Sequence, residues 1–387
     1  MDYVKVLSDL IAIDTTVPPG RNYEKAIDYL EPYFKQVGFQ TQKIRIPKEH
    51  ADGQEGRFAL IAHRCNPGKP HLIFYSHIDV VPAEGWDAFQ PKVEDGKIYG
   101  RGAADMKGSI AALLLGLDKI TKANLNYDTS VMVTTDEEVG QADQIRYLGK
   151  FLQPVAGAYF WDLDSSFGYV VVASLGAVQL DIMVSGKSVH SALANLGINA
   201  IEKSVGLLNA LLDLKDKVIQ RTSSVPANPD TGLKFMQARL NINMIQGGIK
   251  VNIIPNECRI SIDRRLIPEE SVADAEKEIM DALRSVEDVK WEVMKVFRIP
   301  TVPPLHEDPV TDKLSCLIKD VTGKTGRYGE MGSGDFGPIA SNEWKAKHFG
   351  LGVIRSDESF HGHDEFVRIK DIEDLAEIIA KFLTTPE

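Results

Sequence analysis

The sequence has few cysteines, and it has neither a long basic run nor a long uncharged apolar run. Its 387 residues include three cysteines, Cys65, Cys258 and Cys316, which lie far apart and form no CxxC pair. An odd, scattered set does not make a disulfide framework, so we expect reduced, half-buried thiols. No window approaches the ~18–20 uncharged apolar residues of a membrane span. The first residues lack the basic region of a signal peptide, which predicts a cytoplasmic location without membrane attachment.

Positive charge is also in the minority. The chain has 44 Lys and Arg residues against 55 Asp and Glu residues, a formal net charge of −11. Nucleic-acid binding depends on clustered Lys and Arg, so no such partner is expected. The excess of acid favours solubility, and it leaves open that some carboxylates are held inward by cations. A hydrophobic content of 43% and a charged content of 26% are typical of a globular protein and exclude disorder.

The first part of the chain alternates helical and strand patterns. Helical spacing covers residues 23–37, and residues 107–122 are apolar almost all round. Short apolar runs at 72–75, 130–135 and 156–163 are typical of buried strands. This order predicts an α/β sheet that is covered on both faces.

After Gly176 the pattern changes to alternating strands. Residues 178–184 alternate, as do stretches near 235–245 and 257–265. Helical patterns over 198–218 and 272–286 complete a β-α-β-β-α-β order, which is typical of a ferredoxin-like α+β insert. Length alone predicts two to three domains at ~150 residues each.

We therefore predict one large domain that is interrupted by a smaller one. The large domain comprises residues 1–176 and 293–387, and the insert comprises residues 177–292. Helical and α/β-like patterns return after the insert, which supports a discontinuous first domain.

Side chains with acid–base or metal-binding chemistry follow several of the predicted strands. The run 72–75 continues into His77 and Asp79. Alternate residues of an extended segment share a face, so these two side chains are expected on the same side. A carboxylate beside an imidazole fixes its tautomer and increases its basicity. The alternative is an ordinary surface pair.

Residues 100–105, GRGAAD, come close to a dinucleotide-binding fingerprint but place Asp105 where the third glycine would stand. An acid there would repel a pyrophosphate, so a dinucleotide oxidoreductase is disfavoured. The remaining alternatives are a buried carboxylate at a loop-to-helix junction or a simple helix N-cap.

Carboxylates follow the next two strands as well. The run 130–135 leads into three adjacent acids, of which the last two are Glu137 and Glu138. One alternative is that these acids lie in a solvated loop. The other is that cations lie close to them, in which case one Glu can bind a metal ion while its neighbour acts as a general base. Asp162 and Asp164 share a face after the run 156–163, and their spacing does not match a calcium loop.

Together these positions predict a metal centre. Near the C-terminus, residues 360–365 read FHGHDE, and a lone histidine pair of this kind is usually found at a surface. The full set of two imidazoles and three carboxylates comprises His77, Asp105, Glu138, Asp164 and His361. Such a set suits two zinc-like ions ~3.5–4 Å apart that share one carboxylate. Open α/β sheets place their sites at strand carboxyl ends.

Five motifs make a family resemblance specific. SHIDVVP, GRGAADMKGS, TTDEEVG, GKSVHSA and FHGHDEFV occur in this order. They resemble the metallopeptidase family of aminoacylase, acetylornithine deacetylase, succinyl-diaminopimelate desuccinylase, glutamate carboxypeptidase and related dipeptidases. The resemblance covers essentially the whole chain. It implies a mixed-sheet, di-zinc exopeptidase-like catalytic domain with an α+β insert that acts as a lid and forms a homodimer.

The resemblance also implies a role for each residue at the metal centre. The two divalent ions are expected to be zinc, with cobalt or manganese as alternatives. His77, oriented by Asp79, would bind the first ion, and Asp105 would bridge both. Glu138 and His361 would bind the second ion.

The family has a further acidic ligand after the strand that corresponds to residues 156–163. Counting back from Gly176 without a gap places this ligand at Asp164, and Asp162 is the runner-up. Glu137 would be the general base of the reaction. An Asp at position 164, where this family most often has Glu, is more typical of the peptide-cleaving branches.

Residues of the insert match positions that contact substrate. His190 matches a lid histidine that polarises the scissile carbonyl, often across a dimer. Asn252 and Arg265 match positions that hold substrate oxygens, and the planar fork of Arg suits a carboxylate. The adjacent Arg264 should face the other way. Residues 332–336 match the glycine-rich substrate loop only loosely.

The predicted function is hydrolysis of the amide bond of an N-acyl amino acid by a metal-activated water. The alternative is a dipeptidase or carboxypeptidase of the same family that acts on short peptides. A serine hydrolase is disfavoured because no G-x-S-x-G motif occurs. A catalytically silent scaffold is disfavoured because Glu137 is present.

Overall fold

A computed structural model describes residues 1–153, 156–305 and 307–386. The chain forms two compact units. The first unit comprises Met1–Val172, Leu305–Tyr328 and Gly334–Glu387, and the second comprises Ala173–Pro304 and Gly329–Ser333.

The described residues form nine α-helices, one of them a single turn. They are α1 (Tyr3–Ile11), α2 (Tyr23–Gln36), α3 (Gly108–Lys119), α4 (Ala142–Leu152), α5 (Ala200–Val218), α6 (Val272–Arg284), α7 (Pro309–Thr322), α8 (Phe336–Pro338) and α9 (Ile369–Thr384). Four 3₁₀ turns and two π-type segments supplement them in this part of the chain.

The same residues form seventeen β-strands. They are β1 (Gln40–Arg45), β2 (Phe58–Arg64), β3 (His71–His77), β4 (Lys92–Glu94), β5 (Lys97–Tyr99), β6 (Asp128–Thr134), β7 (Tyr159–Asp162), β8 (Val170–Ser174), β9 (Gly176–Ser185), β10 (Thr222–Pro226), β11 (Phe235–Gln237), β12 (Arg239–Gly247), β13 (Glu257–Leu266), β14 (Lys290–Ile299), β15 (Arg327–Glu330), β16 (Lys347–Gly350) and β17 (Phe366–Arg368).

The largest sheet has eight strands in the order β1-β2-β6-β3-β7-β16-β8-β15. At its centre β6, β3 and β7 are parallel neighbours, whereas β2 is antiparallel to β6. The sheet is therefore mixed, with a parallel centre. This confirms the predicted α/β fold class.

Helices cover both faces of this sheet. Tyr75 of β3 belongs to a buried cluster with Ile145 and Leu148 of α4. On the opposite face, Phe74 lies 5.2 Å from Trp161, whose ring lies 5.0 Å from Phe382 of α9 between centroids. Adjacent side chains on a strand point to opposite faces, so burial on both sides explains the uninterrupted apolar runs of the sequence.

The second unit has the predicted β-α-β-β-α-β order. Its antiparallel sheet has the strand order β12-β13-β9-β14, which agrees with a ferredoxin-like insert. Helices α5 and α6 pack on this sheet and on each other. The boundary expected at residue 293 falls inside β14, which pairs with β9 along its length. Residues 293–304 therefore group with the second unit.

Several local expectations differ from the structure. The stretch expected as one strand near 235–245 is split into β11 and β12, which lie in different sheets. Cys65 and Cys316 are exposed and Cys258 is buried, so the expectation of three half-buried thiols is wrong. No helix among the described residues is both long enough and apolar enough to cross a membrane.

Candidate metal centre

The candidate site lies at the carboxyl ends of three parallel strands. His77 ends β3 and pairs with Thr134 at the end of β6, while Tyr75 pairs with Asp162 at the end of β7. Parallel neighbours end at the same edge of a sheet, so the residues that follow them converge. Glu137 and Glu138 open the 3₁₀ turn after β6, and Asp164 lies two residues beyond β7.

Two further side chains reach this edge from outside the strands. Asp105 lies in the short helical segment Ala103–Lys107 that precedes α3, and its own φ of −118° and ψ of 94° are not helical. His361 lies in the loop before β17 with a left-handed φ of 63°. This conformation is uncommon for a residue other than glycine and is typical of constrained functional loops.

Asp105 lies between the two histidines. Its Oδ1 is 3.3 Å from His77 Nε2, and its Oδ2 is 3.0 Å from His361 Nε2. His77 Nε2 is also 3.7 Å from Asp164 Oδ2, and His361 Nε2 is 3.1 Å from Glu138 Oε2. One carboxylate thus presents one oxygen to each imidazole, so Asp105 would be positioned to contribute an oxygen to both ligand groups.

The donor atoms form two groups that could each hold a metal ion. The first comprises His77, Glu137 and Asp164, and the second comprises Asp105, Glu138 and His361. Within each group the ligand atoms lie within 4.8 Å of one another. All five predicted ligands therefore meet at one edge of the sheet, with Glu137 beside them.

Buried polar atoms without hydrogen-bond partners provide an independent test of fit. Among the described residues these include His77 Nε2 and Asp105 Oδ1, which face each other. Native proteins rarely leave such atoms unsatisfied. Imidazole nitrogen and carboxylate oxygen are suitable ligands for zinc and similar divalent ions. The residues present therefore fit a pair of such ions.

Asp79 contacts one residue from each of the two groups of donor atoms, namely His77 and Glu138. His77 Nδ1 donates a hydrogen bond to the Asp79 carbonyl oxygen at 3.2 Å and lies 3.4 Å from its carboxylate. A proton on Nδ1 leaves the lone pair of Nε2 free for a ligand bond. The other Asp79 oxygen accepts the backbone N–H of Glu138 at 3.0 Å.

Glu365 is a supporting residue beside the site that sequence reasoning missed. Its buried carboxylate accepts a hydrogen bond from Arg101 at 2.8 Å and backbone N–H bonds from Gly102, Ala104 and Asp105 at 2.9, 2.9 and 3.1 Å. These bonds hold the segment that carries Asp105. The only available signal was its place in the motif FHGHDEFV, because sequence pattern does not show which acid in DE is buried.

Asp162, the runner-up ligand, faces a different partner. Its Oδ2 lies 3.3 Å from His348 Nε2, and its Oδ1 accepts the backbone N–H of Asp164 at 2.9 Å. Asp162 thus contacts the turn that carries Asp164, while Asp164 itself contacts His77.

The first acid of the triplet has its own cation. Asp136 accepts hydrogen bonds from Arg57, Tyr23 and Gln144, each at 2.8 Å. For Asp136, the nearby cation expected from the sequence is therefore the guanidinium of Arg57. Glu137 and Glu138 instead belong to the two groups that could hold metal ions.

Burial and neighbouring charge shift the proton affinities of the site. Burial raises the pKa of Glu137 well above its usual value, and Asp164 and Glu138 raise it further against an opposing effect of His77. Burial raises the pKa of Asp164 to about 7. Hydrogen bonds to Asp105 and Glu138 raise the pKa of His361 to about 10. Without a metal ion, the side chains of Glu137, Asp164 and His361 therefore hold protons more readily than usual. A divalent cation that binds at the site would displace such protons.

His190 and Asn252 lie in the second unit on neighbouring segments. The backbone N–H of Ser191 donates to the Asn252 carbonyl oxygen at 3.0 Å. His190 Nδ1 accepts the backbone N–H of Ala192 at 3.2 Å, and the side-chain Oδ1 of Asn252 is buried without a hydrogen-bond partner among the described residues. The neutral His190 ring therefore has its proton on Nε2.

Arg264 and Arg265 point in opposite directions on β13, as expected. Arg264 is fully buried and pairs with Glu270. Arg265 is partly exposed, and it donates to Asp263 at 2.9 Å and to Ser333 at 3.1 Å. Asp335 belongs to residues 332–336, the segment that resembles the family's glycine-rich substrate loop only loosely. Within the first unit, it accepts a hydrogen bond from the backbone N–H of Gln141 at 2.7 Å.

The fold and the site define an α/β protein with a carboxylate–histidine metal centre of the hydrolase type. The sequence profile of Peptidase family M20/M25/M40 matches residues 73–385. The chain belongs to this family, which confirms the family predicted from the five motifs.

Relatives and solved structures agree with this assignment. Acetylornithine deacetylase of Vibrio parahaemolyticus is 31% identical over 313 residues, covering 79% of this chain and 77% of the relative. Succinyl-diaminopimelate desuccinylase of Afipia carboxidovorans is 26% identical over 98% of this chain and 97% of the relative. The structure of an M20 family metallo-carboxypeptidase of Sulfolobus solfataricus has a TM-score of 0.81 at 16% identity, covering 99% of both chains.

Proposed function

We propose that this protein is a di-metal amidohydrolase that cleaves the amide bond of an N-acyl amino acid. The observation that supports this best is the meeting of two ligand groups at Asp105, one of which contains the partly buried Glu137. The similarity to acetylornithine deacetylase and succinyl-diaminopimelate desuccinylase supports an acyl-amino-acid substrate.

His77, Asp105, Glu138, Asp164 and His361 hold the ions in this proposal. The ions are zinc, with cobalt or manganese as alternatives. Bound divalent ions supply Lewis acidity toward water and toward the amide carbonyl. Asp79 keeps the proton of His77 on Nδ1 and orients its ring.

Glu137 is the general base and then the general acid. Its burial raises its pKa, so its carboxylate binds a proton more readily than an ordinary glutamate does. A group of this kind accepts a proton from the attacking water and returns it to the leaving amine.

His190, Asn252 and Arg265 contact the substrate in this proposal. The Nε2 proton of His190 donates a hydrogen bond to the oxygen of the scissile carbonyl as negative charge develops there. Asn252 offers the N–H donors of its side-chain amide, and Arg265 those of its guanidinium, to the carboxylate of the amino-acid portion.

The second candidate is a dipeptidase or carboxypeptidase that acts on short peptides. Asp164 favours it, since an Asp at this position resembles the peptide-cleaving branches. One substrate panel separates the two: N-acetyl and N-succinyl amino acids against unblocked dipeptides, with the zinc-reconstituted enzyme. Cleavage of the blocked compounds supports the deacylase, and a requirement for a free α-amine supports the peptidase.

The proposed chemistry also predicts the effect of metal removal. Exhaustive chelation abolishes turnover, and adding back zinc restores it. A protein that holds a stoichiometric divalent metal and hydrolyses no member of the panel would contradict the proposed function.

A homodimer through the second unit is part of the proposal. Helix α5 exposes Ile201, Val205 and Leu212, and the edge strand β12 exposes Met244 and Ile245. An apolar, unpaired sheet edge of this kind favours pairing with another chain. Light scattering of Val205→Asp, which places charge on this surface, should show a shift from dimer to monomer.

The cytoplasmic location stays a prediction.

A further inference from the structure

A second cluster of metal-binding side chains lies at the opposite edge of the central sheet. It comprises His63 near the end of β2, Cys65 just after β2 and Asp128 at the start of β6. We call it the amino-edge cluster, because β3 and β6 both begin there. The proposed reaction uses none of its residues.

The distances suit a tetrahedral ion. His63 Nε2 lies 3.4 Å from Asp128 Oδ1. Two ligands of a tetrahedral zinc ion, with bonds near 2.0–2.2 Å, stand ~3.4 Å apart. One ligand atom from each of His63, Cys65 and Asp128 lies within 4.8 Å of a ligand atom of the other two residues. Cys65 is exposed and forms no disulfide, so its sulfur is accessible to an ion from solvent.

A hydroxyl relay orients the histidine for such a ligand bond. Ser130 Oγ lies 2.9 Å from His63 Nδ1 and 2.9 Å from His71 Nε2. When His63 Nδ1–H donates to Ser130, the serine hydroxyl donates onward to His71. His63 Nε2 then directs its lone pair toward Asp128. Metal-ligating histidines donate their other ring N–H in this way.

The carboxylate is also held in place before any ion arrives. Asp128 Oδ1 accepts the backbone N–H of Asn66 at 2.8 Å. A cleft of about 590 Å³ that includes His63, Lys69, His71 and Asp128 in its lining adjoins the cluster. It leaves room for water or another small ligand at a fourth coordination position.

We propose that His63, Cys65 and Asp128 form a third metal site, built for zinc or a similarly thiophilic divalent ion. A thiolate and a carboxylate neutralise the charge of a divalent ion, and the imidazole completes three protein ligands with one position open. The sulfur ligand disfavours magnesium and calcium, which prefer oxygen alone.

The sulfur ligand makes this site separable from the candidate metal centre. The two groups there contain only nitrogen and oxygen donors, so a thiolate-to-cobalt charge-transfer band reports the amino-edge cluster alone. The full-length protein is titrated with Co²⁺ under reducing conditions. We expect such a band, with three metal ions bound per chain by elemental analysis.

Variants assign the band to its ligands. Cys65→Ser should abolish it and lower the stoichiometry to two, with turnover unchanged. Cys316→Ser, which removes the other exposed thiol, should leave both the band and the stoichiometry intact. His63→Ala keeps the sulfur and should weaken Co²⁺ binding at this site at least tenfold.

Other outcomes overturn the proposal. The absence of a thiolate band at saturating Co²⁺, or a band that survives in Cys65→Ser, excludes Cys65 as a ligand. Zinc should also slow the modification of Cys65 by a thiol reagent without slowing that of Cys316. Equal protection of both thiols would indicate adventitious binding only. The thiolate band, its loss in Cys65→Ser and the protection of Cys65 by zinc can all be measured without the hydrolytic function.

Discussion

The two ends of the central strands hold clusters of similar residue types in very different surroundings. At the carboxyl edge, the side chains of His77 and Asp79 are 0% exposed, although that of the loop residue His361 is 46% exposed. At the amino edge, those of His63 and Asp128 are 37% and 26% exposed. Burial strengthens electrostatic interactions and shifts proton affinities, so the same donors acquire different chemistry at the two edges.

The support behind the ligands differs as well. At the carboxyl edge, the carboxylates of Glu365 and Asp79 accept several backbone N–H bonds, and the Asp79 carboxylate lies 3.4 Å from His77 Nδ1. At the amino edge, the support is the neutral Ser130 and one backbone N–H to Asp128. The candidate metal centre at the carboxyl edge is therefore supported by carboxylates, whereas the amino-edge cluster is supported by neutral groups.

The largest expected effect belongs to Glu137. Replacing it by glutamine removes the proton acceptor, and we expect turnover to fall by roughly 10²–10⁴-fold while metal content is unchanged. Steady-state kinetics and elemental analysis check this, with Glu343→Gln at an exposed position as the control. Near-normal turnover of Glu137→Gln would rule out its role as the base.

The next effect separates the two candidate ligands after β7. Asp164→Asn weakens the contact of this side chain with His77 and removes its negative charge. We expect metal affinity to fall by about 100-fold, which is at least the loss typical of mutating a residue that only supports a metal ligand. Asp162→Asn keeps an oxygen for the Asp164 N–H and should change affinity only a few-fold. Metal affinities from competition with a chelator test this order. The reverse order would assign the ligand to Asp162.

A smaller effect is expected from the support of Asp105. Glu365→Gln removes negative charge and replaces one acceptor oxygen by a donor, so at least one backbone N–H loses its partner. We expect metal affinity or turnover to decrease by about 10–100-fold. Isothermal titration with zinc and kinetics measure the two effects. Unchanged values would show that the segment holds its shape without this carboxylate.

The smallest effect on turnover is expected at the amino edge. Ser130→Ala removes the hydroxyl between the two histidines, so Co²⁺ binding at this edge should weaken by about tenfold. Turnover should stay at the wild-type value, since the reaction uses no residue of this cluster. A parallel loss of turnover would contradict the separation of the two edges.

The sequence predicted that candidate ligands meet at the carboxyl edge because several of them follow recognisable strands. Apolar runs at 72–75 and 130–135 place His77, Glu137 and Glu138 at strand ends, and parallel strands bring such ends together. Asp105 and His361 were found through motifs rather than periodicity, since each lies in an irregular segment.

Other features depended on long-range pairing. His63 and Asp128 meet because β2 is antiparallel to β6, with His63 opposite Ser130. No local pattern encodes that register. The pairing of Asp136 with Arg57, and the burial of Glu365 against Gly102, are contacts between segments that are remote in sequence.

The sequence by itself therefore determined the α/β class, the inserted unit and the family. Those follow from the periodicity of apolar residues and from short motifs, both of which are local. Only the tertiary structure decided which carboxylates face a metal group and which face a guanidinium or a backbone N–H. That choice depends on burial and on distances of a few ångströms between segments, which residue order alone does not specify.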